Sequence, residues 1–257
     1  MAALIRKGFS VLGEPHQRCV TCPVRKRALF NGVSEENLDW TERYRVYQAE
    51  IAPKQNVFLE GEPSTHAYTL FEGWAAVYKT LPNGKRQIMR FALPGDFLGF
   101  QADLEAPMIY GVASITRCVL CAFPRSNLKQ MFRENQGIAM QMALLNARYM
   151  ELCQYHLMGT GRQSAKERIA FLLLELYYRS QLQVEGSNEE VVPFPICQEE
   201  IADAVGLTTV HVNRTLKEMK KEGLVDCSAR RLAIKDEQRL SEISNFDKRI
   251  VEKPMLL

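Results

Sequence analysis

The apolar positions of this chain follow three successive rhythms. From Tyr47 to Pro124 they come in short runs such as Tyr68-Thr-Leu-Phe71, Ala75-Ala-Val-Tyr78 and Gln87-Ile-Met-Arg-Phe91. Gly61, Gly73, Gly84 and Gly95 cut these runs, with Pro82-Asn-Gly84 and Pro94-Gly-Asp96 as turn signals. β-Branched and aromatic runs with a turn about every 11 residues predict a compact β-barrel or jelly roll. Next, Ile138, Met142, Leu145, Tyr149, Leu152 and His156 alternate spacings of four and three. A period of about 3.5 residues predicts a long helix, from Arg125 or Gln136 to Met158, whose stripe is a two-stranded coiled-coil seam. The chain is therefore expected to pair with a second copy of itself. Gly159-Thr-Gly161 breaks that helix as a hinge. Ser164-Ala-Lys-Glu167 restarts one as a capping box, ahead of Ile169, Leu172, Leu173, Leu176 and Tyr177 as core.

The third rhythm, Pro195 to Leu224, is that of two short helices about a tight turn. Ile201, Ala202, Val205 and Leu207 give the first an apolar face, Gly206 supplies the positive φ of the turn, and Thr208 caps the second. Val212, Leu216 and Met219 then point inward, while Thr209, Val210, Asn213, Arg214 and Lys217 share the opposite face, with Lys220 and Lys221 a turn further on. Such a face suits the major groove of double-stranded DNA, where a guanidinium takes guanine bidentately and ammonium groups meet phosphates. The candidate DNA-binding residues are Thr208, Thr209, Val210, His211, Asn213, Arg214, Lys217, Lys220 and Lys221. The plainer alternative is an amphipathic helix pair with a solvated basic face. Gly223-Leu-Val-Asp-Cys227 and Arg231-Leu-Ala-Ile234 flank a short turn and read as a wing hairpin, with Arg230 and Arg231 at its tip near phosphate or in solvent.

Composition bounds this picture without changing it. The 257 residues are 46% apolar and 25% charged, with a net charge of only +3, so any nucleic-acid signal rests on where the charges sit. No apolar run is long enough to span a bilayer, and no leader pattern opens the chain, which makes a cytoplasmic protein without membrane partner the expectation. Four dispersed histidines, His16, His66, His156 and His211, with no nucleophile motif argue against an enzyme.

Seven cysteines is an odd count, better suited to free thiols or metal ligands than to a disulfide framework. Cys19-Val-Thr-Cys22 and Cys118-Val-Leu-Cys121 are two like-spaced pairs that between them could hold zinc or an iron–sulfur cluster. The second pair sits in a segment that reads as a strand. Residues three apart on a strand point to opposite faces, so both serve one centre only across a bulge; otherwise at least one thiol is simply buried.

Phe58-Leu-Glu-Gly-Glu-Pro63, Phe71-Glu-Gly73, Pro94-Gly-Asp-Phe-Leu-Gly-Phe100 and Val212-Asn-Arg-Thr-Leu216 resemble the CRP/FNR family of bacterial transcription regulators. The resemblance implies an α+β fold. Residues 1–45 form a cysteine-containing segment, 46–124 a cyclic-nucleotide-binding-like β-barrel, 125–160 a dimerisation helix and 161–257 a winged helix-turn-helix domain. Members that bind cyclic AMP carry a glutamate after the Gly-Asp-x-x-Gly turn and an Arg-Ser pair further on. Here those places hold Phe100 and the stretch Pro107-Met-Ile-Tyr-Gly111, and a buried phosphate without its arginine would cost several kcal/mol, so cyclic AMP is rejected.

Phe100 matches the FNR branch, whose oxygen sensors hold an iron–sulfur cluster on three N-terminal cysteines and one in the barrel. Cys19, Cys22 and Cys121 fall on three of those positions, and Ala28, Leu29 and Phe30 stand where the remaining cysteine belongs. Either Cys118 or His16 substitutes, or the cluster is lost and the thiols are remnants or redox-reactive. By the same correspondence Arg214 is the base-reading arginine. Val210 replaces a frequent glutamate, so a thymine methyl replaces cytosine as its partner. The resemblance thus implies a homodimer on a palindromic operator, working with RNA polymerase and answering to oxygen, nitric oxide or redox state. A haem-based gas sensor and an effector-independent regulator of the same fold are the alternatives.

Overall fold

The computed structural model describes residues 9–12, 17–25, 28–34, 37–183 and 190–251; His16 and most of the polar loop after Gln183 lie outside them. The chain divides into two compact units, Met1–Asn146 and Ala147–Leu257. In the first, the strands are β1 (Phe9–Val11), β2 (Tyr47–Ile51), β3 (Asn56–Phe58), β4 (His66–Glu72), β5 (Ala75–Thr80), β6 (Arg86–Ala92), β7 (Phe97–Leu98), β8 (Gly111–Ser114) and β9 (Cys118–Pro124). They form two sheets, in the orders β1-β2-β9-β4-β7 and β3-β8-β5-β6, with antiparallel neighbours. Ile51, Leu70, Leu120 and Ala122 from one sheet meet Val57, Val77 and Val112 from the other in one core. This is the expected jelly roll.

Its central strand β9 is buried along nearly its whole length, which is why Cys118-Val-Leu-Cys-Ala-Phe123 is apolar without alternation. Gly73 closes the β4–β5 turn at φ 95°, and a Cβ there would sit 2.2 Å from the Arg117 carbonyl oxygen, so no other residue fits. α1 (Leu38–Tyr44) falls between β1 and β2, and α2 (Leu128–Glu134) and α3 (Gln136–Arg162) follow β9.

Two expectations for α3 need correction. The helix does not break at Gly159 and Gly161 but runs on to Arg162. Two glycines cost a helix only about 1 kcal/mol each, and Gly159 is buried. The real stop is Ser164, which caps α4 (Ala165–Gln181) with the expected capping box: its amide donates to the Glu167 carboxylate at 2.6 Å and its hydroxyl accepts from the Glu167 amide at 3.3 Å. The second correction concerns the stripe. Ile138, Met142, Leu145 and Leu152 are buried within the single chain, with Tyr149 and His156 half-buried. A different row with the same alternation, Met140, Ala143, Ala147, Met150 and Leu157, is exposed; Met150 and Leu157 are 63% and 72% accessible. The 3.5-residue period marked both rows, and the one richer in large aliphatics is taken by the chain's own core.

In the second unit, β10 (Val191–Pro193), β11 (Val225–Ser228) and β12 (Arg231–Ile234) form a sheet in the order β10-β12-β11, beside α5 (Gln198–Val205), α6 (Thr209–Lys221) and α7 (Glu237–Ser244). Ala229 and Arg230 turn the β11–β12 hairpin at φ 50° and 58°. A buried ionic group braces α4: the Glu175 carboxylate, 2% exposed, lies 2.8 Å from His156 Nε2 and 2.9 Å from Arg179 Nη1. Burial pushes this carboxyl up, but the hydrogen bonds and charges of His156 and Arg179 outweigh it and hold it below the ordinary carboxylate value. A depressed folded value means stabilisation that is present above the unfolded carboxylate pKa and is lost as pH falls through the folded one. The melting temperature of the wild type should therefore drop as pH is lowered from about 6 to about 3. Glu175→Gln should melt lower at neutral pH and lose much of that slope. Equal slopes in the two proteins would contradict the assignment.

Candidate nucleic-acid interface and thiol pocket

The helix-turn-helix is assembled by local chemistry that the sequence announces. Glu200 accepts the Cys197 amide at 2.8 Å to start α5, the turn residue Gly206 takes φ 68°, and the Thr208 hydroxyl accepts the His211 amide at 3.3 Å to start α6. Arg168 reaches from α4 to donate to the Val205 carbonyl at 2.8 Å, closing the last turn of α5. Val212, Thr215 and Met219 are buried and fix the rotation of α6; Leu216 is only half-buried, and Thr215 takes the fully inward place.

That rotation leaves Thr209, Val210, Arg214, Lys217 and Lys221 exposed, with Asn213 and His211 half-exposed at the edges. Val210 is 81% accessible, the most exposed large apolar side chain among the described residues. Within the described residues Arg214, Lys217 and Lys221 have no ion-pair or side-chain hydrogen-bond partner. Two candidates are already engaged: the Thr208 hydroxyl caps its own helix, and Lys220 Nζ lies 2.8 Å from the Asp226 carboxylate on β11. At the wing, the Arg231 guanidinium donates to the Val191 carbonyl at 3.0 Å, while Arg230 stays at the turn.

Three of the four candidate metal-ligating cysteines share one place. Cys19 and Cys22, on and just after the 3-10 helix Cys19–Thr21, line a cavity of about 30 Å³ together with Cys121 of β9, Arg25, Arg45 and Thr69. Its walls are apolar, and Ala28 and Phe30 form part of them. The Cys121 thiol accepts from Gln48 Nε2 at 3.1 Å, and burial pushes it up to about 11; burial raises Cys19 as well. The Thr69 hydroxyl, on a residue 6% exposed, has no hydrogen-bond partner among the described residues.

Cys118 does not join them. It points from the other face of β9 into the inter-sheet core, donates to the Trp74 carbonyl at 3.1 Å, and is pushed up to about 12 by burial. No bulge in β9 brings it round: the β2–β9 register is regular from Cys118 to Ala122, and the register shift against β4 falls between Leu70 and Glu72 on β4. Among the described residues no three His, Cys, Asp or Glu side chains are grouped to hold a metal ion. The structure also marks residues that sequence reasoning passed over. Between β7 and β8, Gln101 donates to the carbonyls of Asp103, Ala106 and Pro107 at 2.9–3.3 Å and accepts the Ile109 amide at 3.2 Å. Arg125, 2% exposed, donates to the carbonyls of Ser64 and Asp103 at 3.0 and 3.1 Å. Nothing in their local sequence distinguishes either from an ordinary surface residue.

Residues 48–135 match the cyclic nucleotide-binding domain model and residues 167–243 the Crp-like helix-turn-helix domain model. The transcriptional activatory protein AadR of Rhodopseudomonas palustris is 32% identical over 90% of this chain and 92% of its own length. The chain belongs to the CRP/FNR family of transcription regulators. The nitrogen fixation regulation protein FixK of Bradyrhizobium diazoefficiens is 30% identical over 84% of this chain and 89% of its own, and the transcriptional activator protein FnrL of Cereibacter sphaeroides 28% over 90% and 93%. Among solved structures, FixK2 from Bradyrhizobium japonicum superposes with a TM-score of 0.69 at 26% identity, over 76% of this chain and 96% of that one. As a CRP/FNR regulator the protein is a DNA-binding transcription factor and not an enzyme, with its relatives on the FNR-like side of the family. Among the described residues no helix is long and apolar enough to cross a membrane.

Proposed function

We propose that this regulator binds an approximately palindromic operator as a homodimer, reading each half-site with the exposed face of α6. The observation that carries the reading is the exposed pair of cations, Arg214 and Lys217, without partners among the described residues, beside a bare Val210, on a helix whose rotation is fixed by Val212, Thr215 and Met219. Arg214 holds a guanine bidentately, Val210 meets a thymine methyl, and Lys217 and Lys221 meet phosphates. Thr209, Asn213 and His211 border that contact, and Thr208 serves it by capping the helix. Since the Lys220 ammonium is shared with Asp226, its weight should be smaller than that of Lys217. Lys217→Ala is expected to weaken binding alike on all sequences and to reduce the salt slope by about 1 per lost contact. Lys220→Ala should change the slope less, which titrations at several salt concentrations check. AadR and FnrL carry the names of activators, and RNA polymerase is the partner we infer from that.

For the effector we infer a redox-linked signal, oxygen and nitric oxide included, sensed at Cys19, Cys22 and Cys121 and not a cyclic nucleotide. The segment where a nucleotide phosphate would need its cation is tied to itself by Gln101, and Arg125 of the 3-10 helix Arg125–Asn127 holds the Asp103 and Ala106 carbonyls just before it. A cluster held by four cysteines does not fit the residues present: three thiols share the pocket, Ala28 and Phe30 fill its wall, and Cys118 faces away. Anaerobic purification with iron, acid-labile sulfide and a visible spectrum tests this. Neither iron nor sulfide is expected, and operator affinity should change with oxidant in the wild type but not in Cys121→Ser. About four irons and four sulfides per chain would restore a cluster with a non-cysteine ligand. A Soret band would make the protein a haem sensor, and no response to any oxidant would leave a regulator without effector.

A further inference from the structure

The segment that carries Cys19 and Cys22 is fastened at two points near the start of α3. Gly32, at the end of the 3-10 helix Leu29–Gly32, lies against Gly137 in the first turn of α3. A Cβ on Gly32 would sit 2.3 Å from the Gly137 carbonyl oxygen, and one on Gly137 would sit 2.1 Å from the Gly32 carbonyl oxygen. Neither glycine has a positive φ, so it is space and not backbone conformation that requires them. The second point is Glu134, the last residue of α2. Its carboxylate accepts the Tyr44 hydroxyl at 2.6 Å, the Trp40 indole N–H at 2.7 Å and the Gln130 amide at 2.7 Å, and the two aromatic donors belong to α1. In the same segment Leu29, Phe30 and Leu38 are buried, the Phe30 ring stands 4.9 Å from that of Phe123, and Phe30 and Leu38 also wall the thiol pocket.

We propose that this segment is a lever: a change in the packing of the thiol pocket displaces Phe30 and Gly32, and the Gly32–Gly137 contact passes the displacement to the first turn of α3. Tyr44 and Trp40 on Glu134 form its fixed end. A backbone-to-backbone contact has no side chain that can yield, so movement on one side is transmitted rather than absorbed. The lever rests on the reading of the pocket as effector site and of α3 as the pairing helix.

A double-mutant cycle on the full chain tests it without any effector. Cys22→Phe wedges the pocket end and Gly137→Ala forces the contact apart. The readouts are the dimer dissociation constant and hydrogen exchange of residues 136–142. The wedge is expected to shift the dissociation constant by about tenfold in the wild-type background and by less than about twofold once Gly137→Ala is present, with exchange following the same pattern. Equal shifts in both backgrounds, or unchanged exchange after the wedge, would overturn the proposal. Should Gly137→Ala fail to fold, Trp40→Phe with Tyr44→Phe releases the fixed end without inserting atoms, and the same loss of coupling is expected. Failure to respond to oxidant would sink the effector reading and leave this cycle to be judged alone.

Discussion

Arg214→Ala is expected to weaken operator binding by about 1–3 kcal/mol in each half-site, so roughly 2–6 kcal/mol for a dimer carrying the change twice. It should also abolish the preference for guanine at one position of each half-site, because the bidentate pair to O6 and N7 is the contact that tells guanine from adenine. The stability of the free protein should hardly change. Arg214 is exposed and partnerless among the described residues, and the buried face of α6 is carried by Val212, Thr215 and Met219. Surface changes of this kind stay within about 0.5 kcal/mol of wild type. Binding to operators varied one base at a time, with a thermal melt beside it, separates lost reading from lost folding. A variant that kept full guanine preference would show that another residue reads that base.

Ala147→Glu with Met150→Glu is expected to turn the protein into a monomer and to lower operator affinity by about 10²–10⁴, the contribution of linking two half-site contacts. Both residues lie on the exposed row of α3, where in the proposed homodimer a second copy would pack and a ring of carboxylates would repel it. The fold of each chain should survive, because neither side chain is buried in it. Sedimentation at micromolar concentration checks the outcome. A dimer that persists would place the pairing surface elsewhere.

The helix-turn-helix and the exposed basic face of α6 were legible in the sequence because each device there is local: Gly206 for the turn, Thr208 for the cap, and a basic side opposite an apolar one within a single helix. The capping box at Ser164 and Glu167 was legible for the same reason. The exposed row on α3 was not. A heptad stripe records which residues avoid water, and only the packed chain decides whether its own core or a second copy covers them. Likewise Cys118 and Cys121 have the spacing of a metal pair, yet strand geometry sends one thiol into the inter-sheet core and the other to the pocket of Cys19 and Cys22. Arg125 and Glu134 act through a main-chain carbonyl and aromatic donors far away in sequence, and Gln101 through the main chain of an irregular loop, contacts that no short motif encodes.

Selection of binding sites from random double-stranded DNA by the purified full-length protein tests the central claim most directly. A palindromic consensus with half-sites about one helical turn apart is expected. Each half should hold one guanine that disappears from the consensus when Arg214→Ala is used, and a thymine whose identity changes with Val210→Glu. No enrichment, or a consensus without two-fold symmetry that is indifferent to both substitutions, would contradict it.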